Sequence, residues 1–304
     1  MMRTLTRSPD TLPSLVVALV ALFWGCWWIP LRMIDAQGVN GPWAGAAIYL
    51  VAALALLPVA VAKGWFKGGN AGATIGIGIV YGVQLSTFSV GIVVGEVLRV
   101  MLLCYLLPIW GTLFAFVLLG EKPTVRRLIA VGLGLGGAAV ILNEGGLPLP
   151  RSLGDWLGLA TGIIFALATA LSRKRPDVGG LASTFVTFAA AATACAIIAL
   201  FIQAAPDRAN VVAALPLIVT FAVALAIPSY ALVIWSAGRI DPGRLSVLLL
   251  LEIVAAAISA AMLLDEPFGG REIAGCVLII AAGACSGQDQ MGRQPPLQDP
   301  AALP

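Results

Sequence analysis

The chain has 304 residues, 60% of them hydrophobic and 11% charged, with a net charge of +3 and a mean hydropathy of +0.99. A water-soluble domain carries about 25% charged residues, so this composition fits lipid as the solvent, and a charge of +3 scattered between apolar runs does not mark a nucleic-acid binder. There is no histidine, which excludes Ser-His triads, His metal or haem ligands and His proton relays; no metal or other cofactor is expected.

Apolar stretches long enough to cross about 30 Å of hydrocarbon as helices fall near 13–31, 42–62, 71–94, 98–119, 128–143, 155–172, 181–203, 211–236, 245–264 and 272–287. We number them spans 1 to 10. Arg3 and Arg7 precede span 1 as they would a signal peptide, but the apolar run is too long and no small-residue cleavage site follows. Span 1 carries "ALFWGCWWIPLR" (21–32), closed by Pro30 and Arg32. With Arg32 at the outer end, Trp27 and Trp28 lie about 6–8 Å below it and Trp24 about 12 Å. Belt depth favours tryptophan for its amphipathic ring, so Trp27 is expected to be an interface anchor. Trp24 is expected to face a cavity, and Trp28 fits either role. Trp43, Trp65 and Trp156, at span ends, read as belt residues.

Span 3 places Tyr81, Gln84 and Phe88 at i, i+3 and i+7, one helical face. Tyr105 and Pro108 interrupt span 4, and Pro228, Ser229 and Tyr230 interrupt span 8, where the proline frees a backbone carbonyl. Glu252 is the one acid well inside a span. Intramembrane carboxylates cost about 2.5–3.5 kcal/mol at the helix centre on insertion scales, and they usually face a cavity. The five cysteines (Cys26, Cys104, Cys195, Cys276, Cys285) all sit in apolar runs and read as packing residues. Glycine runs such as Gly132, Gly134, Gly136 and Gly137 allow close helix approach and lack the Lys-Ser/Thr of a phosphate loop.

Basic residues fix the orientation. Arg3, Arg7, Lys63, Lys67, Lys122, Arg126, Arg127, Arg173, Lys174, Arg175, Arg239, Arg244 and Arg293 fall on one side; Arg32, Arg99, Arg151, Arg208 and Arg271 fall on the other. Both termini are therefore expected in the cytosol. A shift of 145 residues lays "RVMLLCYLLPIWGTLFAFVLLGEKPTVR" (99–126) on "RLSVLLLLEIVAAAISAAMLLDEPFGGR" (244–271) without a gap. It matches Arg99 with Arg244, Glu121 with Glu266 and Arg126 with Arg271, and sets Gln84 opposite Ser229. Five spans per half is an odd number, so the second half enters from the opposite side. The expected fold is an all-α membrane protein of two inverted five-helix repeats, residues 1–145 and 154–290, with a linker at 146–153 and a disordered cytosolic tail at 291–304. Such repeats are typical of secondary transporters with a midplane site.

The ten spans, the "LLGEKPTVR" and "LLDEPFGGR" hairpins at equivalent places and "LFWGCWWIPLR" in span 1 resemble the drug/metabolite transporter superfamily, EamA type. Within it they are most similar to the aromatic amino-acid exporters of the YddG kind. The resemblance implies a basket of ten helices in a bacterial inner membrane that exports small metabolites by alternating access. Relatives often read Leu-Glu-Pro in span 9, where here Ile253 follows Glu252, so a straighter helix is expected there.

The leading reading is an exporter of amino acids and not an enzyme: no G-x-S-x-G and no paired intramembrane aspartates appear. A zwitterion needs an anionic partner, hydrogen-bond donors and an apolar surface. Glu252 would supply the first, Gln84, Ser229 and freed helix ends the second, and Trp24, Tyr81, Phe88, Tyr105 and Tyr230 the third. Glu252 also reads as a proton site, or as a protonated or serine-paired residue that pins the repeats. Gln84 and Ser229 read equally as inter-helix hydrogen-bonding residues. Export of drugs or other metabolites is the alternative, with a channel behind it. The expected partners are the substrate and the lipid bilayer, with the chain acting as a monomer.

Overall fold

The computed structural model describes residues 10–142, 149–264 and 268–287. Arg3, Arg7, Asp265, Glu266, Arg293, the first part of the expected linker and the expected tail lie outside the described residues. Among the described residues every regular element is helical. Nine segments are long and apolar enough to cross a membrane: Thr11–Asp35, Gly41–Lys63, Ala71–Val94, Arg99–Leu119, Val125–Leu142, Leu153–Lys174, Gly180–Ile202, Arg208–Ala237 and Pro242–Leu263. Gly270–Gly287 is a tenth helix and packs along span 5. These are spans 1 to 10, two inverted sets of five. Their alternation puts Lys63, Lys122, Arg127, Arg173 and Arg239 at one face, the cytosolic one by the charge rule.

The helices meet where side chains are small. Span 3 packs along spans 6 and 7, span 2 along span 7, span 4 along spans 6 and 9, and span 1 against spans 8 and 9. A Cβ on Gly25 would meet the Glu252 carbonyl and the backbone of Ala256, one on Gly158 would meet the backbone of Val100, and one on Gly111 would meet Ser246 and the Pro242 carbonyl. Glycine lets backbones approach this closely, which drives helix association where lipid removes the hydrophobic incentive.

Four spans are irregular, and the irregularities share one depth. Span 1 consists of Thr11–Trp24 and Trp28–Asp35, span 4 of Val97–Cys104 and Leu107–Leu119, and span 9 of Pro242–Leu249 and Leu251–Leu264. Span 8 contains a π-helical segment, Phe221–Ala226, just before Pro228. Span 9, where Ile253 stands in place of the relatives' proline, is interrupted at Leu250. Leu250 donates to the Val247 carbonyl and Ile253 to that of Leu250, a tightened turn made without proline. The 145 shift carries the break at Tyr105 onto Leu250, so the interruption belongs to the repeat. The repeats are not packed alike, however. Half of the span 3 window is buried (50%), whereas its counterpart in span 8 is 22% buried.

Overpacking a close crossing costs about 1–3 kcal/mol. Gly25→Ala is expected to lower the thermal midpoint of the full chain in detergent. Gly76→Ala, inside span 3 where a Cβ meets nothing within 4 Å, is expected to leave it equal or higher, because alanine favours the helix interior over glycine.

Candidate functional site

The helix interruptions surround a cavity of about 110 Å³. At about 10–15 Å³ per water position that is room for a molecule of roughly ten heavy atoms. Its wall draws on both repeats: Trp24 and Trp27 from span 1, Tyr49 from span 2, Gln84 and Phe88 from span 3, Cys104 and Tyr105 from span 4. The second repeat adds Phe165, Phe188, Ser229, Tyr230 and Glu252. Toward the cytosol it is closed. Val17, Val20 and Ala21 of span 1, Ile77 and Tyr81 of span 3, Ala166 and Ala168 of span 6, Val233 and Ile234 of span 8 and Leu245 and Leu248 of span 9 form one buried cluster beneath it.

One side of the wall is aromatic. Trp24 and Tyr230 lie 5.1 Å apart between ring centroids, Phe188 meets Tyr230 edge-on at 5.5 Å, and Tyr49 stacks on Phe188 at 5.9 Å. Such contacts fix the rings as a preformed surface. The polar groups lie around it. Glu252 is hydrogen-bonded to the Tyr105 hydroxyl, so its partner is a tyrosine and not a serine. The Ser229 hydroxyl donates to the Ala226 carbonyl of its own helix, 3.1 Å away. Gln84 is buried, yet its Oε1 has no hydrogen-bond partner. A buried acceptor left unpaired costs about 1–3 kcal/mol, and this one sits in the cavity wall.

Seven of the eight residues singled out in the sequence border this one cavity: Trp24, Gln84, Phe88, Tyr105, Ser229, Tyr230 and Glu252. Tyr81 does not. It is fully buried, meets Phe165 edge-on at 5.7 Å and shares a 3.4 Å hydroxyl contact with Ser172 in the floor. Tyr81 shares a helical face with Gln84 and Phe88 but lies about one turn closer to the cytosol, and periodicity reports face, not depth. Trp27 corrects the anchor expectation: its ring borders the cavity and packs edge-on against Phe23 at 6.0 Å. The tightened turn at Gly25–Trp27, where the Cys26 and Trp27 amides donate to the carbonyls three residues back, rotates it off the face that continuous α-helical numbering assigns. Trp28 points elsewhere, its Nε1 donating to Ser259 Oγ at 3.0 Å with Arg32 over its ring. Tyr49 and Phe188 were missed; each lies in a span without charge or break, where nothing in the sequence marks the inward face.

The fold and the cavity at the repeat interface define the class: a multi-pass membrane transporter of small molecules. The sequence profile of the EamA-like transporter family matches the chain twice, over residues 11–143 and 152–286. The chain belongs to that family, within the drug/metabolite transporter superfamily, and the family is one of transporters of small metabolites rather than of enzymes. A solved crystal structure of a protein superposes with a TM-score of 0.70 over 92% of this chain and 97% of its own, at 19% identity, and so shares the fold. No curated protein matches the chain.

Because Gln84 Oε1 is unpaired, Gln84→Leu is expected to leave the thermal midpoint of the ligand-free protein equal or higher while weakening substrate binding; a clear loss of stability would reveal an internal partner. Tyr81→Phe is expected to cost about 0.5–1.5 kcal/mol of stability for its hydroxyl bond and to leave substrate affinity unchanged, measured by ligand-induced shifts of the same melting curve.

Proposed function

We propose that this EamA-family transporter exports amino acids, aromatic and other neutral ones, by alternating access, as the exporters of the YddG kind do. The reading has it work as a monomer in a bacterial inner membrane. The observation that carries it is the pairing of one carboxylate, Glu252, with a wall of aromatic rings inside a cavity of metabolite size. An amino acid presents an ammonium for Glu252, a carboxylate for hydrogen-bond donors such as the Ser229 hydroxyl, and a side chain for the surface formed by Trp24, Tyr49, Phe188 and Tyr230. The partnerless Gln84 Oε1 would accept a second ammonium hydrogen. Export down a concentration gradient needs no coupling ion, and Glu252 is the residue positioned to carry a proton if exchange occurs.

The test is counterflow. Proteoliposomes loaded with unlabelled amino acids are given labelled phenylalanine, threonine or methionine, with the wild type and Glu252→Gln compared. A hydrogen bond to a charged group is worth about 1.5–3 kcal/mol, so the variant is expected to exchange about 10- to 100-fold more slowly at subsaturating substrate. Exchange of a dye or another metabolite, with no amino acid moving, would overturn the substrate assignment and leave the transporter fold intact.

A further inference from the structure

Beneath the apolar floor, the cytosolic mouth ends in four charged side chains drawn from both repeats. Gly120, at φ 69°, closes span 4 in a left-handed turn; its amide returns to the Phe116 carbonyl and that of Glu121 to Ala115, a Schellman closure. The turn presents Glu121 Oε1 at 4.0 Å from Arg173 Nε, at the end of span 6. Arg127, whose amide donates to Thr124 Oγ1, places Nη2 2.9 Å from Asp241 Oδ1 at the head of span 9. Arg173 also donates from Nη1 to the Arg239 carbonyl at 2.9 Å. The hairpin between spans 4 and 5 in the first repeat is thus bound to span 6 and to the span 8–9 hairpin in the second.

The two pairs differ in weight. Arg127 and Asp241 are 8% and 2% exposed, whereas Arg173 and Glu121 are longer apart and wetter at 33% and 23%. A buried pair is strongly held against loss of one partner, while an exposed one is worth little. Asp241 Oδ1 takes Arg127 and the Arg244 amide. Asp241 Oδ2 is buried with no donor, and it belongs to a carboxyl that Glu121 faces. Two facing carboxyls are fully hydrogen-bonded only when a proton lies between them.

We propose that Glu121, Arg127, Arg173 and Asp241 form a latch that clasps the two repeats at the cytosolic mouth, and that a proton held at Glu121 tightens it. The proposal rests on the alternating-access reading above: the latch must part before the cavity can take substrate from the cytosol. The groups facing Glu121 are Asp241, Arg173 and Arg127. Burial first, then the Asp241 carboxyl, raise Glu121 to about 7, against the two arginines. When the hairpins separate, water returns Glu121 to the ordinary carboxylate range. The closed latch therefore binds the proton more tightly than the open one. Acid favours the closed mouth, and that bias fades as cytosolic pH rises through about 7.

Cys104 borders the cavity and reports which side reaches it. The full chain, with Cys26, Cys195, Cys276 and Cys285 replaced by alanine, is placed in membrane vesicles of known orientation and treated with a membrane-impermeant thiosulfonate from one side at a time, at pH 6 and pH 8. The thiolate is the reactive form, so each cytosolic rate is divided by the rate from the outer side at the same pH; for the latch-intact protein this ratio is expected to be several-fold higher at pH 8 than at pH 6. Glu121→Gln, neutral and of the same shape, is expected to keep that ratio low at both pH values. Asp241→Asn is expected to label at least tenfold faster from the cytosol at pH 6. Glu121→Gln leaves the Arg127–Asp241 pair in place, so the test does not depend on the buried pair tolerating substitution. A ratio that follows the same pH dependence in Glu121→Gln as in the parent would overturn the latch. Because labelling needs no substrate, failure of amino-acid counterflow and failure of the latch are read separately.

Discussion

Hydrocarbon offers no hydrogen bonds to a backbone, so a chain that crosses it can break a helix only where protein or water takes over the freed groups. The structure follows that constraint throughout. The turn at Gly25–Trp27, the break at Tyr105–Leu106, the tightened turn at Leu250 and the π-helical segment Phe221–Ala226 all fall beside one cavity at the repeat interface. The lipid-facing spans 5 and 10 run unbroken. Three of the cavity's polar side chains, Tyr105, Ser229 and Glu252, lie at or close to these interruptions.

The same constraint explains why the cavity needs both repeats. Glu252 and Tyr105 come from equivalent breaks in spans 9 and 4, and their hydrogen bond joins the two halves where each is interrupted. Below them the inner halves of spans 1, 3, 6, 8 and 9 seal into one apolar cluster. The cavity thus has a floor toward the basic face. Spans 3 and 8, counterparts in the repeat, are unequally buried and so occupy unequal surroundings.

Much of this was legible in the sequence, for physical reasons that can be named. Span positions follow from hydropathy because the bilayer sets a fixed length, and the inverted repeat showed through charges at helix ends that a greasy background cannot mimic. Glu252 was legible because a carboxylate in lipid needs a reason to be there. Depth and local rotation were not. Tyr81 has the right face and the wrong level, and Trp27 was displaced by a turn that Gly25 permits by letting span 1 touch the backbone of span 9. Tyr49 and Phe188 were invisible since an aromatic ring costs nothing in hydrocarbon, whichever way it points. The break at Leu250 had no proline to announce it.

Symmetry also shows where the two mouths differ. The 145 shift that superposes the repeats carries Asp241 onto Glu96 and Arg127 onto Glu272. At the cytosolic mouth these positions hold an acid and a base 2.9 Å apart. At the outer mouth the equivalent positions hold two acids, which cannot form that ion pair. The outer face has instead a pair of its own between the repeats, Arg99 Nη2 lying 2.7 Å from Asp155 Oδ2. The two mouths are therefore held by different ion pairs, written in side chains that distinguish the halves, over a backbone that the halves share.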